Sequence, residues 1–221
     1  MVQIMLAGET LYRTVLEKLS HFEGLAPLAL RLYLVPIFWM AGTNKFKNFD
    51  STVSWFGNPD WGLGLPAPAL LAFLAAWTEL IGGWLLLLGA ATRLISIPLM
   101  FTMLIAATTA HWDNGWFAIA PTNPDTSAAR ALAWVGAPGA EESLANSEAV
   151  ATRLSAMRAI LSEHGNTDWL YEKGSIAVLN NGIEFSATYF VLCLVLLFMG
   201  AGRYVSVDYW LARRWRTDDW E

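Results

Sequence analysis

Pro66-Ala-Pro-Ala-Leu-Leu-Ala-Phe-Leu-Ala-Ala-Trp-Thr-Glu79-Leu-Ile-Gly-Gly-Trp-Leu-Leu-Leu-Leu88 is an apolar run with one ionisable side chain, Glu79, near its middle. A helix that crosses a bilayer needs about 20 mostly apolar residues, and this run supplies them. A carboxylate at that depth is costly unless a neighbour neutralises it, so Glu79 marks either a functional site or a structural ion pair.

Working outward, three more runs of this kind are found. The predicted spans are about 26–45, 67–88, 93–111 and 180–200. The first carries Arg31, Pro36 and Lys45, and Pro36 is expected to kink it. Gly89 ends the second and Thr92-Arg93 opens the third, so these two form a tight antiparallel hairpin. The third contains Pro98 and closes at His111. The predicted fold is all-α: an integral membrane four-helix bundle, treated as a single membrane domain over 1–221. Amphipathic flanking helices are expected at 8–24, where Leu11, Val15, Leu19 and Phe22 recur at helical spacing, and at 207–215.

Two segments join the spans on the other face. Residues 46–66 are rich in Gly, Pro, Asn and Trp. Residues 112–179 are too long for a plain loop and should be largely helical, with Val150, Leu154, Met157 and Leu161 on one helix face.

The composition agrees with this reading. Of 221 residues, 55% are hydrophobic and 15% charged, against about a quarter charged in ordinary soluble domains. A net charge of −5, with no basic stripe and no phosphate-cradling glycine loop, excludes nucleic acid as a partner. Cys193 is the one cysteine, so no internal disulfide or two-cysteine relay is available. Met1–Ala7 is too short and lacks the basic start of a cleaved signal peptide.

Lys and Arg near the spans set orientation. Arg13, Lys18, Arg93, Arg203, Arg213, Arg214 and Arg216 fall on one side. The long insert has four basic residues against eight acidic ones. Both termini are therefore expected in the cytoplasm. The insert, with Trp112, Trp116, Trp134 and Trp169, is expected in the periplasm, lying against the membrane interface.

Two polar strata follow from depth, at about 1.5 Å per helical residue. Arg31 and Glu79 come within about one turn of each other and are the expected intramembrane pair, with Arg93 able to join from below. Near the outer face, Lys45, His111 and Glu184 are brought to one layer. Such charges either neutralise one another and fix helix order, as in an Arg31–Glu79 or Lys45–Glu184 pair, or line an outward-opening pocket for a small ligand, quinone, peptide or metal. In the pocket reading His111 is the chemical participant, since histidine is the side chain type whose charge changes nearest neutrality. No metal site is expected, because His21, His111 and His164 fall in different regions. Met100 and Met103 share a face that soft copper would suit, yet that spacing is also ordinary packing. No resident cofactor is predicted; quinone and copper are the two the polar layers would take.

The order of these features resembles the DoxX family of small four-helix membrane proteins. The matching elements are Arg31, Gly42…Lys45-Phe46, Glu79-Leu-Ile-Gly82-Gly83…Gly89, Thr92-Arg93, His111 and Gly200-Ala-Gly202-Arg-Tyr-Val-Ser206-Val-Asp208, covering roughly 25–111 and 180–214. The long insert is similar to that of the HvfX branch, whose members are described as accessories in the maturation of copper-binding modified peptides. The resemblance implies a bacterial inner-membrane protein with a protein or peptide partner at its outer face and no settled reaction. Some DoxX relatives are described as subunits of a thiosulfate:quinone oxidoreductase, which is the alternative. The ligand and the oligomeric state are left open.

Overall fold

Gly89 ends its helix in the conformation that the absence of a Cβ permits. It adopts a left-handed conformation (φ 65°), and its N–H bonds Leu86 O at 3.2 Å while Ala90 N bonds Leu85 O at 2.9 Å. Ala91 is also left-handed (φ 48°), so the chain reverses at once and the next helix starts at Thr92.

The computed structural model describes residues 2–137 and 139–215; for 2–8, 10 and 11 it describes the backbone alone. Arg216 and the side chain of Leu11 lie outside what is described. Ten α-helices occur among these residues. They are α1 (Val2–Ser20), α2 (Leu25–Lys47), α3 (Phe49–Gly57), α4 (Pro68–Leu88), α5 (Thr92–Ile105), α6 (Ala128–Trp134), α7 (Ala140–His164), α8 (Thr167–Tyr171), α9 (Glu184–Met199) and α10 (Val207–Trp215). A π-helical turn, Ala106–His111, and a short 3-10 turn, Trp112–Asn114, extend α5. Among the described residues the β structure is an isolated bridge between Ile119 and Leu179.

Three helical stretches are long and apolar enough to cross a membrane: Leu25–Lys47, Pro68–Leu88 and Thr92–Asn114. They lie within about two residues of three predicted spans, though the third continues past His111. The fourth apolar helix, α9, has 16 residues and is shorter than these. Both α2 and α5 continue through their prolines, Pro36 and Pro98. The expected plain connector at 46–66 contains α3, which packs on α4 through buried Phe56. Helix α1 starts earlier than expected and stops at Ser20, ahead of Gly24.

The chain divides into two compact units, 1–103 with 189–221, and 104–188. In the first, α2, α4, α5 and α9 share one core. Leu34, Phe38, Leu86, Leu99, Met103, Cys193 and Leu196 form it, and Met100 packs against it. The two methionines are therefore packing residues and Cys193 is a buried core thiol. The outward faces carry exposed Leu70, Phe73, Leu74, Ile81, Leu94, Ile97 and Phe101. An apolar exterior around a partly polar centre suits hydrocarbon as the solvent.

In the second unit α6 packs on α7. Ser127 caps α6 by accepting from Ala129 N, and Asn166 caps α8 by accepting from Trp169 N. The predicted face of α7 is half realised: Val150 and Leu154 are buried, whereas Met157 is exposed and Leu161 half-buried.

Candidate functional site

Glu79 is paired with Lys45. Lys45 Nζ donates to Glu79 Oε2 at 2.6 Å, with 24% and 4% of the two side chains exposed. The partner is not Arg31, and the reason is helix register. Gly42 sits where a Cβ would come within 2.8 Å of Leu80 N and 2.9 Å of Ala76 O, so α2 and α4 touch backbone to backbone there. That contact places Glu79 beside Gly42. Lys45, one turn further along α2, bends its long stem back to the carboxylate. On α4 the antiparallel register carries Arg31 to the level of Gly89, about three turns from Glu79. Phe46 and Trp77 stack edge to face with centroids 5.2 Å apart, and Phe73 lies against both, so aromatic contacts also join α2 to α4.

Arg31 is completely buried and holds backbone carbonyls instead of a carboxylate. One terminal nitrogen donates to Leu86 O at 3.0 Å and Leu87 O at 3.4 Å, the other to Val205 O at 2.9 Å. A cation at the last turn of α4 satisfies orphan carbonyls and the helix dipole together. Gly89 is required beside it, since a Cβ there would strike the guanidinium and Ser206. Arg31 Nε and Thr92 Oγ1 are buried without hydrogen-bond partners.

The motif segments that carried the family resemblance converge around this arginine. Asp208 accepts from Ala91 N at 2.6 Å and Thr92 N at 2.9 Å, and returns its own N–H to Gly89 O at 3.0 Å. Arg93 does not reach Glu79; it donates to Phe198 O at 3.1 Å, near the end of α9. Arg203 pairs with Glu23 at 2.9 Å, and that hydrogen bond holds its guanidinium above the ordinary arginine range. Gly24 packs directly on the Arg203 carbonyl. Gly89, Ala91, Thr92 and Asp208 thus form one latch that closes the α4–α5 turn. Gly42, which packs on Ala76 and Leu80, and Gly83, which packs on Val35 and Trp39, were the available signal for the Lys45–Glu79 register.

The outer stratum is resolved into separate partnerships. Lys45 is taken by Glu79. Glu184 Oε2 accepts from Ala118 N at 2.9 Å, replacing the expected Lys45–Glu184 pair. His111 Nδ1 lies 2.9 Å from Asn181 O. These last two side chains stabilise one chain crossing, in which Ile183 N bonds Gly115 O, Glu184 N bonds Trp116 O and Gly182 N bonds Phe117 O. Gly182 fits there because its missing Cβ would fall 2.6 Å from both Gly115 O and Phe117 O. Among the described residues no three His, Cys, Asp or Glu side chains gather as a metal would need.

An apolar helical core, lipid-compatible faces and buried ion pairing define the class: a helical membrane protein. More particularly, residues 26–112 match the DoxX family model. This segment covers all but the first residue and the last two of the three long spans, includes the Lys45–Glu79 pair, and stops short of 180–214. The chain is 34% identical over 90 residues to "Putative oxidoreductase CatD" of Bacillus subtilis (strain 168), covering 41% of this chain and 62% of that protein. It is 33% identical over 96 residues to "Inner membrane protein YphA" of Escherichia coli (strain K12), covering 42% of this chain and 66% of that protein. The matches thus span a little under two thirds of each relative's length. No solved structure matches the chain.

Proposed function

We propose that the protein is a DoxX-type accessory of the bacterial inner membrane. In this reading α9 is the fourth crossing of a four-helix bundle, both termini face the cytoplasm, and the α6–α8 unit faces the periplasm. There it receives a protein or peptide partner; the HvfX-like insert makes that partner a copper-binding modified peptide undergoing maturation or export. The observation that carries this is the second unit's surface. It leaves Trp134 88% and Trp169 70% exposed, with Val135 also exposed. Most of that unit lies beyond the DoxX match, so it is the part through which this chain would differ from shorter relatives. Large exposed aromatics are typical anchors of a binding surface. The test is a photo-crosslinking residue at Trp134 or Trp169 in native membranes. A discrete peptide or protein adduct, lost when Trp134→Ala and Trp169→Ala are combined, supports the reading. Crosslinks to lipid alone overturn it.

A second reading is favoured by the buried Lys45–Glu79 pair and by the name of the CatD relative. A quinone would dock beside the pair, and the protein would be the quinone-interacting membrane subunit of an oxidoreductase. The electron donor would then be a partner enzyme. Organic extraction of the purified protein decides this: quinone present in the native chain and lost in Glu79→Gln favours it, and quinone absent from both removes it.

A further inference from the structure

A groove of about 450 Å³ lies where α5 begins and α9 ends. Arg93 and Arg203 line it together with the Gly200-Ala201-Gly202 backbone, and Leu94 and Met199 form its apolar side. Three properties of this groove point to one ligand. First, its level is fixed by the crossing helices. It sits at the ends marked by Thr92 and Met199, the level at which a spanning helix passes from hydrocarbon into the headgroup layer. Second, two guanidiniums face it. Arg93 spends one terminal nitrogen on Phe198 O, and Arg203 one on Glu23, leaving each a second face for an acceptor. The Asp208 carboxylate also borders the groove, but both its oxygens are engaged by Ala91 N and Thr92 N. Third, Leu94 is among the most exposed apolar side chains of the crossing helices and Met199 is half exposed, which provides a lipid-facing wall beside the cations.

We propose that this groove binds the phosphate of an anionic phospholipid, with Arg93 and Arg203 holding the phosphate and an acyl chain running along Leu94 and Met199. The cations that favour such a headgroup are Arg93 and Arg203 themselves; over 1–31, 86–94 and 199–221 basic and acidic side chains nearly balance, eight against seven. Arginine is suited to the role because its planar fork matches phosphate oxygens in pairs. Gly200 and Gly202, both left-handed (φ 77° and 92°), keep the floor free of side chains. A Cβ at Gly200 would come within 3.1 Å of Arg93 Nε, so the glycine lets that guanidinium lie over the loop.

The test uses the full chain in a mild neutral detergent, delipidated and then titrated with phosphatidylglycerol, phosphatidylcholine or inorganic phosphate. Retained lipid is read by native mass spectrometry and stability by thermal unfolding. Phosphatidylglycerol should be retained and should raise Tm, with the other two far weaker. Arg93→Gln and Arg203→Gln should each weaken phosphatidylglycerol retention by about fivefold. Arg203 is largely exposed, so its variant gives the same reading if Arg93→Gln lowers the folded yield. Equal retention of phosphatidylcholine, an equal effect of inorganic phosphate, or undiminished phosphatidylglycerol binding in Arg203→Gln would each overturn the proposal.

Discussion

Lys45 and Glu79 meet at 2.6 Å because Gly42, one turn back along α2, lets two membrane helices close to backbone contact. The pair belongs to the tightest part of the α2–α4 interface. Glu79 is 4% exposed and Lys45 24%, so the pair opens modestly at the lysine end.

Breaking this pair from one side should be costly. Glu79→Ala is expected to lower stability by about 3 kcal/mol, because it leaves an ammonium poorly solvated. Lys45→Met should do at least as much, since Glu79 is the more buried partner. The double variant Lys45→Met with Glu79→Leu should recover most of the loss. Unfolding in detergent around the four-variant cycle checks it, and strictly additive single effects would refute the pairing.

Arg31 should behave as an independent site. Arg31→Ala strands the carbonyls of Leu86 and Val205 and is expected to cost about 3 kcal/mol, as charged hydrogen bonds contribute about 1.5–3 kcal/mol each. Its coupling to Glu79→Ala should stay below about 0.5 kcal/mol. A large coupling in the same cycle would restore the Arg31–Glu79 pair that depth alone suggests.

Two glycines on facing helices should respond oppositely to alanine. Gly42→Ala drives a methyl into the α4 backbone at 2.8 Å, which cannot yield as a side chain would, and about 1–3 kcal/mol should be lost. Gly83→Ala meets its nearest neighbour at an ordinary 3.4 Å and gains helix propensity of about 1 kcal/mol. Melting temperatures of the two variants compare directly, and equal losses would argue against the close approach at Gly42.

Asp208→Ala removes the acceptor for two turn amides. A loss of about 1–2 kcal/mol is expected, in line with a lost helix cap. Hydrogen exchange should rise at Ala91 and Thr92 while the middle of α4 stays protected. Unchanged exchange at those two amides would disprove the latch.

Sidedness can be read with a single introduced thiol, because native Cys193 is fully buried and silent. Trp134→Cys should react with a membrane-impermeant maleimide in intact cells. Ser20→Cys should react after lysis alone. The reverse pattern would invert the proposed orientation.

The three long spans were legible because length and hydropathy are properties of a single strand of sequence. The turn at Gly89-Ala-Ala-Thr92 was legible because a glycine at the end of an apolar run takes the left-handed conformation that closes a helix. The partner of Glu79 was not, since depth along an axis leaves the stagger between helices undetermined. Only the glycine contacts fix that stagger, shifting Arg31 toward Gly89 and Lys45 toward Glu79. Helix α3 was hidden by the loop-like composition of 46–66, which masks Phe56 as its anchor on α4. Depth along the spans brings Glu184 and His111 to one layer, as ion-pair or pocket residues, yet backbone amide and carbonyl groups absorb them at Ala118 and Asn181.

Asp208 lies 116 residues beyond the Thr92 amide it engages. A ribosome therefore delivers the α4–α5 hairpin long before the carboxylate that fastens it. Until Asp208 follows, the Ala91 and Thr92 amides are met by water, as at any uncapped helix start. The fastening of the hairpin is therefore a late event of folding, separate from the pairing of its two helices.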